Sequence, residues 1–160
     1  MKYLLAVGPV LLLSGCFAAK PSVLVTQNTS YDPSAQAKIR LYGPYGEAAI
    51  KPYADTTCEA WRQLKGSRTH TRFKNGLPRK IRNISVGMPT TPRSAAADAD
   101  TGVVTRDSYK ESVVGANKPL VLDGSQAVTT STFRRRCRVA VSVVPVAGQN
   151  YEAAYEPAAT

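Results

Sequence analysis

Apolar and polar residues alternate along several segments of the chain, with the two-residue period of strands that bury one face. In the segment 37–42 the odd positions hold Ala, Ile and Leu, and the even positions hold Lys, Arg and Tyr. In the segment 136–143 the odd positions hold Cys137 and three valines. We expect both segments to be strands, with the face that contains Cys137 directed into the core.

Turn residues separate these segments from further candidate strands. Gly43–Gly46 is expected to turn the chain so that Ala48–Tyr53 returns as the hairpin partner of 37–42. Pro52 should then lie either on a strand at the sheet edge or at the end of its strand. Other predicted strands are Val23–Thr26, Pro119–Asp123, Val128–Phe133 and Asn150–Tyr155. Short strands at regular spacing predict an all-β fold, a single small antiparallel β-sandwich of immunoglobulin-like type over residues 31–160.

Two segments do not follow the alternation. Cys58–Leu64, which contains Trp61, is compatible with a short helix or a strand. Residues 88–108 are rich in Ala, Pro, Thr and Asp, and we expect a long flexible loop there. Asp98-Ala99-Asp100-Thr101-Gly102 matches only the start of a calcium loop, because the closing glutamate is missing, so we interpret it as a turn.

The N-terminus has the layout of an export signal. Lys2 precedes an apolar run from Leu4 to Leu13, which is followed by two small residues and Cys16. About ten apolar residues rise roughly 15 Å as a helix, about half the thickness of a bilayer core, and Pro9 disfavours a spanning helix. We therefore expect this segment to be removed after export.

Leu13-Ser14-Gly15-Cys16 resembles the bacterial lipobox, in which a leucine and two small residues precede a lipidated cysteine. The resemblance implies that residues 1–15 are a signal peptide and that Cys16 carries a diacylglyceryl group and an N-acyl chain. One acyl chain alone holds a protein only marginally, whereas several chains anchor it durably. The alternative is an ordinary secretory signal that is cut near residues 18–19.

The same resemblance implies where the mature chain begins and where it is located. Residues 16–30 are then the lipidated N-terminus and a tether to the folded domain. Phe17 stands where an aspartate often retains such lipoproteins on the inner membrane, so an outer-membrane location facing the periplasm is implied.

Lipidation of Cys16 would leave two of the three cysteines, Cys58 and Cys137. An even pair in an exported protein favours a disulfide. Closing a loop across 79 positions would stabilise the fold by about 4.5 kcal/mol in the chain-entropy model. Two buried free thiols are the alternative.

A second resemblance is carried by scattered parts of the mature chain. Val143–Ala153, which follows the strand with Cys137, resembles the ending of small uncharacterised envelope lipoproteins of proteobacteria. Lys38–Gly43, followed by Cys58, is similar to their opening. The resemblance supports the fold and the pairing of the two cysteines, and it implies no activity.

The chain carries 21 basic and 11 acidic residues, a formal net charge of +10. Basic residues crowd the segments 65–82 and 134–138, which a bridge between Cys58 and Cys137 would bring within reach of each other. The candidate contacts for an anionic partner are Arg79, Lys80, Arg82, Arg134, Arg135, Arg136 and Arg138. A cationic surface attracts anionic lipid, lipopolysaccharide, acidic polysaccharide or an acidic envelope protein, whereas nucleic acid is not expected at this location. The alternative is a solvated face that keeps the protein soluble.

Residues suited to catalysis or metal binding are scarce. His70 is the one histidine, and no G-x-S-x-G or S-x-x-K pattern offers a nucleophile. A zinc site needs three or four Cys, His or carboxylate ligands. We expect no catalytic residue, no metal and no cofactor.

These observations favour a non-enzymatic envelope lipoprotein that binds a partner or supports an assembly through its basic surface. An inhibitor of lysozyme or a related envelope enzyme is the alternative, although two basic proteins repel each other. A module that binds cell-wall polysaccharide also stays open, and its stacking platform for sugar rings would comprise Tyr42, Tyr45, Tyr53 and Trp61. The Tyr42–Tyr45 turn is expected to be exposed, and Trp61 to lie in the core.

Overall fold

The computed structural model describes residues 23–44, 50–63, 82–101, 107–129 and 134–156. These residues form two β-sheets and two short helices, so the fold is mostly β, as the alternation predicts. Their elements are β1 (Val23–Thr26), β2 (Gln36–Pro44), β3 (Ile50–Ala54), α1 (Cys58–Gln63), β4 (Arg82–Ser85), α2 (Pro92–Ala99), β5 (Asp107–Gly115), β6 (Leu120–Thr129), β7 (Arg134–Val143) and β8 (Asn150–Ala153). The strand predicted at Val23–Thr26 is confirmed, and Cys16 lies outside the described residues.

The larger sheet has the strand order β1-β4-β5-β2-β8. β2 and β5 pair antiparallel, from Gln36 opposite Gly115 to Pro44 opposite Asp107. The pairs β1–β4, β4–β5 and β2–β8 are parallel. The prediction of purely antiparallel strands is therefore wrong for this sheet, because side-chain alternation indicates a strand but not the direction of its neighbour.

The smaller sheet has the order β3-β6-β7 and is antiparallel. β3 pairs with β6 and not with β2, so the predicted hairpin between 37–42 and 48–53 is wrong, whereas the edge position, one of the two predicted from Pro52, is confirmed. Positions 130–133 of the predicted strand Val128–Phe133 lie outside the described residues, and β6 continues through 123–125, where the sequence predicts a break between two strands. Those three residues remain in the ladder, opposite residues 138–140.

The main apolar cluster joins the two sheets. Ile39 and Leu41 of β2 pack with Ile50 of β3 and Leu120 of β6, and all four side chains are buried. Full burial of one such side chain stabilises a fold by about 1.5–3 kcal/mol. The apolar face predicted for 37–42 is confirmed, and Ala37 on the same face is also buried.

The other face of β2 is buried as well. Ala97 of α2 packs with Tyr42 of β2 and Tyr109 of β5. Arg40 and Tyr42 are 1% and 3% exposed. The expectation of a half-buried strand is therefore wrong, because a helix covers the face on which the polar residues stand.

Helix α2 lies within the segment predicted as a flexible loop over 88–108. Thr91 is its N-cap: the Thr91 Oγ1 accepts from the Ser94 backbone N–H at 3.2 Å, and the Ser94 Oγ accepts from the Thr91 N–H at 2.9 Å. A capping box, a proline at the first position and a run of alanines all favour a helix. The loop prediction is therefore wrong for Pro92–Ala99.

β7 does not bury the apolar face predicted for it. Val139 and Val141 are 53% and 52% exposed, and β7 lies at the edge of its sheet. Cys58 begins α1 as a partly exposed free cysteine, and the side chain of Cys137 is outside those described, so the disulfide stays a prediction. Within the described ranges, no helix has the length and hydropathy to cross a membrane.

Candidate functional site

The basic residues predicted to contact an anionic partner lie in different parts of the fold. Arg138 in β7 has described side-chain contacts. Arg82 begins β4 in the larger sheet, residues 134–136 begin β7 in the smaller sheet, and the side chains at these positions are outside those described. Residues 79 and 80 lie outside the described ranges altogether. The structure thus assigns strand positions to five of the seven candidates, and describes side-chain contacts for one of them, Arg138.

Arg138 forms a forked ion pair inside the smaller sheet. Its Nε and Nη2 donate to the two carboxylate oxygens of Asp123 at 2.7 and 2.5 Å, and its guanidinium lies 4.6 Å from the centre of the Trp61 ring. The hydrogen bonds to Asp123 raise the pKa of Arg138. Arg138 thus connects β7 to Asp123 of β6 and to Trp61 of α1. Because the carboxylate and the aromatic ring already satisfy its charge, we do not assign Arg138 to partner binding.

The aromatic residues considered for sugar binding do not form one platform. Tyr53 and Trp61 meet edge to face with ring centres 6.3 Å apart, on the smaller sheet. Tyr42 is buried under α2 on the larger sheet, so the prediction that it is exposed is wrong. Tyr45 lies outside the described residues.

A buried charged cluster on the helix-covered face of the larger sheet was not predicted. Arg40 of β2 donates from Nε and Nη2 to the Glu111 Oε1 at 2.9 and 2.6 Å, and from Nη1 to Glu152 of β8. Its Nη2 also donates to the Pro89 carbonyl at 2.9 Å, and the Tyr109 ring centre lies 5.1 Å away. We call these residues, together with the partners of Glu111 and Glu152, the Arg40 cluster.

Glu111 is 1% exposed and is held ionised by its donors. Its Oε2 accepts from the Ser85 hydroxyl at 2.8 Å and from the backbone N–H groups of Val86 and Met88 at 2.7 and 3.1 Å. Burial acts to raise the pKa of Glu111, but the hydrogen bonds from Met88, Arg40 and Ser85 outweigh burial, and the net pKa is lowered. An ionised, fully bonded carboxylate at this position is a structural partner of Arg40 and not an acid–base catalyst.

Glu152 links β8 to the rest of the Arg40 cluster. Its Oε1 accepts from the Tyr42 hydroxyl at 3.0 Å and the Thr91 hydroxyl at 2.9 Å as well as from Arg40. Burial again acts to raise the pKa of Glu152, and the bonds from Arg40, Thr91 and Tyr42 lower it overall. One carboxylate therefore connects β2, β8 and the N-cap of α2.

The acidic residues that resemble a calcium loop have protein partners. The Asp98 Oδ1 accepts from the Asn83 amide at 2.7 Å, and both Asp98 oxygens lie 3.1 Å from the Tyr109 hydroxyl. Burial, the bond to Asp98 and its charge raise the pKa of Tyr109. Asp98 thus fastens α2 to the sheet, and the described residues contain no group of three or more side chains placed to hold a metal ion.

Most acidic side chains of the described residues form ion pairs with basic residues of the same fold. In the described ranges, six carboxylates form ion pairs with Arg40, Arg93, Lys118 and Arg138. The segments 60–97 and 124–151 contain no acidic residue. The positive charge of these segments is therefore not balanced by their own sequence.

Compared with known proteins, the chain matches no family model, no curated sequence and no solved structure.

Proposed function

We propose that this protein is a non-enzymatic lipoprotein of the bacterial envelope, whose folded domain binds an acidic partner through basic segments that contain no acidic residue. It is anchored through acyl chains on Cys16, at the outer membrane and facing the periplasm. The observation that carries the proposal is the distribution of charge along the chain: the formal net charge is +10, and the segments 60–97 and 124–151 contain basic residues but no acidic one. Among the described residues, six carboxylates already take part in ion pairs within the fold.

Strand β7 and the basic segment 65–82 are the regions proposed to meet the partner. Residues 134–136 are three consecutive arginines at the start of an edge strand. An excess of one sign of charge on such a region raises the local concentration of an oppositely charged partner and speeds its association. By contrast, Arg40 and Arg138 are committed to Glu111 and Asp123, so we exclude them from the binding surface.

The two sheets are proposed to form a sandwich with this surface outside its core. The cluster of Ile39, Leu41, Ile50 and Leu120, which joins both sheets, supports that arrangement. The three parallel pairings differ from the antiparallel sheets of immunoglobulin domains, so strand order is not part of the proposal.

Binding to anionic probes at two salt concentrations tests the proposal. The chain from residue 17 onward, which lacks the acylated cysteine, is mixed with vesicles that contain anionic lipid, with lipopolysaccharide and with an acidic peptide. A variant in which residues 134–136 are all alanine should bind anionic vesicles about 100-fold more weakly at low salt, at roughly 1 kcal/mol for each basic residue near such a surface. High salt should abolish the difference.

The matched control removes three positive charges elsewhere, at the lysines Lys51, Lys110 and Lys118. We expect this variant to lose much less affinity than the arginine variant if binding is localised at β7. Equal losses would assign binding to net charge alone. Absence of salt-sensitive binding to every anionic probe would contradict the proposed function.

A further inference from the structure

The four edge strands of the two sheets are protected to different degrees. β1 and β8, at the edges of the larger sheet, have four residues each, and β3 contains Pro52. Short length and proline both discourage the addition of another strand. β7 has ten residues and no proline. It is therefore the edge best suited to accept a further strand.

The backbone of β7 is paired along one side. It pairs antiparallel with β6 through ten positions, from Arg134 opposite Thr129 to Val143 opposite Leu120. Among the described strands, none pairs with the other side of β7. In an antiparallel ladder, alternate residues direct their N–H and C=O groups away from the neighbouring strand. β7 therefore presents a row of backbone donors and acceptors at the sheet edge.

Apolar side chains lie exposed in the second half of β7. Val139 and Val141 are 53% and 52% exposed. Gly124, which pairs with Val139, lies against the Tyr155 ring so closely that an added Cβ would be 2.7 Å from the ring Cδ2. The half-exposed valines thus stand beside a closely packed part of the core, a position where added apolar contacts can be buried.

We propose that β7 binds an extended acidic segment of a partner protein, which adds to the smaller sheet as a fourth strand. This inference rests on the proposed function and specifies the kind of partner. Backbone hydrogen bonds supply affinity in such strand addition, and side chains at alternate positions supply specificity. Acidic side chains face residues 134–136, and β-branched apolar side chains face Val139 and Val141.

Charge complementarity distinguishes this partner from a second copy of the chain. Residues 124–151 contain four arginines and no acidic residue, and the charge of Arg138 is already satisfied by Asp123. Charged residues on an edge strand discourage pairing with a like-charged strand. The same arginines favour an acidic strand, and the net positive charge of the chain also disfavours association of two copies.

The test uses the full chain isolated from membranes in detergent and two synthetic ten-residue peptides. The first peptide alternates threonine with valine in its first half and threonine with glutamate in its second half, which matches an antiparallel approach to β7. The second peptide has the same sequence with alternate backbone amides N-methylated, so that charge is kept and strand pairing is blocked. Peptide affinity is measured by fluorescence anisotropy, and amide hydrogen exchange is measured along residues 134–143.

The first peptide should bind and slow amide exchange in β7, and the N-methylated peptide should bind at least about tenfold more weakly because several backbone hydrogen bonds are lost. The variant V139T/V141T should also weaken binding of the first peptide. Its matched control is V144T/V146T, because Val144 and Val146 are 60% and 55% exposed but lie beyond the end of β7. The control variant should retain the affinity of the unmodified chain.

Three outcomes would overturn strand addition. If both peptides bind equally, strand pairing does not contribute and the peptide is bound through its charge alone. The proposed function would still hold in that case. Binding of anionic vesicles without binding of either peptide would identify a lipid surface as the partner. A concentration-dependent dimer that is lost in V139T/V141T would identify a second copy as the occupant of β7. If no anionic probe binds at all, the proposed function fails together with the inference.

Discussion

Arg40 is surrounded by partners from separate parts of the chain. Glu111 comes from β5, Glu152 from β8 and the Pro89 carbonyl from the segment before α2. A buried charge without partners is strongly unfavourable, so the guanidinium and both carboxylates must be placed together for any of them to be buried. The Arg40 cluster therefore specifies how β2, β5, β8 and α2 meet.

Replacement of Arg40 by methionine tests this role. The variant Arg40→Met leaves Glu111 buried without its cation, and breaking such a pair lowers the free energy of unfolding by about 3–5 kcal/mol. The matched control is Arg93→Met, because Arg93 pairs with Asp107 and Glu156 at a side chain that is 39% exposed. Its effect should stay below about 1 kcal/mol. Urea denaturation measures both, and equal losses would contradict a structural role for the buried pair.

Strand β8 depends on a side chain as well as on its backbone. It has four residues and pairs with β2 in parallel, an arrangement slightly less stable per residue than antiparallel pairing. Glu152 adds hydrogen bonds from Arg40, Tyr42 and Thr91. The strands β8 and β2 and the N-cap of α2 are thus coupled through one carboxylate.

Acid should weaken this coupling. The pKa values of Glu111 and Glu152 are lowered in the folded protein from 4.5, so their stabilising contribution is complete above that value and is lost as the pH falls through the lowered pKa. We expect the free energy of unfolding to decrease when the pH falls below about 4.5, and Glu152→Gln to reduce this dependence.

Glu156→Gln is the control for that experiment, because Glu156 makes an ion pair from a side chain that is 74% exposed. Exposed ion pairs contribute little to stability, so this variant should retain the pH dependence of the unmodified chain. Urea denaturation at a series of pH values measures all three proteins. An identical pH dependence for Glu152→Gln and the unmodified chain would exclude Glu152 from the acid response.

At the scale of the whole molecule, some charges are paired within the fold, and the proposed function assigns the basic excess of two segments to a partner. Carboxylates cluster around Arg40, Arg93 and Arg138, while the segments 60–97 and 124–151 contain only basic charges. The proposed anchor would hold this basic excess close to a membrane surface. Under this proposal the anchor would add to the effect of the charge, because a tethered domain meets envelope partners at a high effective concentration.

Mass spectrometry of the chain isolated from membranes tests the anchor and the cysteine pairing together. We expect an acylated N-terminus that begins at Cys16, and we expect Cys58 and Cys137 to resist alkylation until they are reduced. Cys16→Ser, which removes the lipidated thiol, should release the protein from the membrane fraction. An unmodified N-terminus farther along the chain would contradict the anchor, and rapid alkylation of Cys58 without reduction would contradict the disulfide.

Several features of this fold follow from the sequence alone. The alternation at 37–42 determines a strand and its apolar face, because successive side chains of an extended backbone point to opposite sides. Pro52 restricts its position to a sheet edge or a strand end, since proline cannot donate a hydrogen bond to a second neighbour. The basic segments are likewise evident without coordinates, because charge is a property of the residues themselves.

Only the tertiary structure decided what covers each face and which strands are neighbours. The alternation of residues 37–42 predicts that Arg40 is exposed to solvent, yet α2 and β8 bury it. Its ion-pair partner Glu111 lies 71 positions away in the sequence. The apolar alternation of residues 136–143 predicts that Val139 lies in the core. Its strand lies at a sheet edge, however, and the side chain is half exposed. Local periodicity reports the geometry of one strand, whereas burial and pairing depend on distant segments that pack against it.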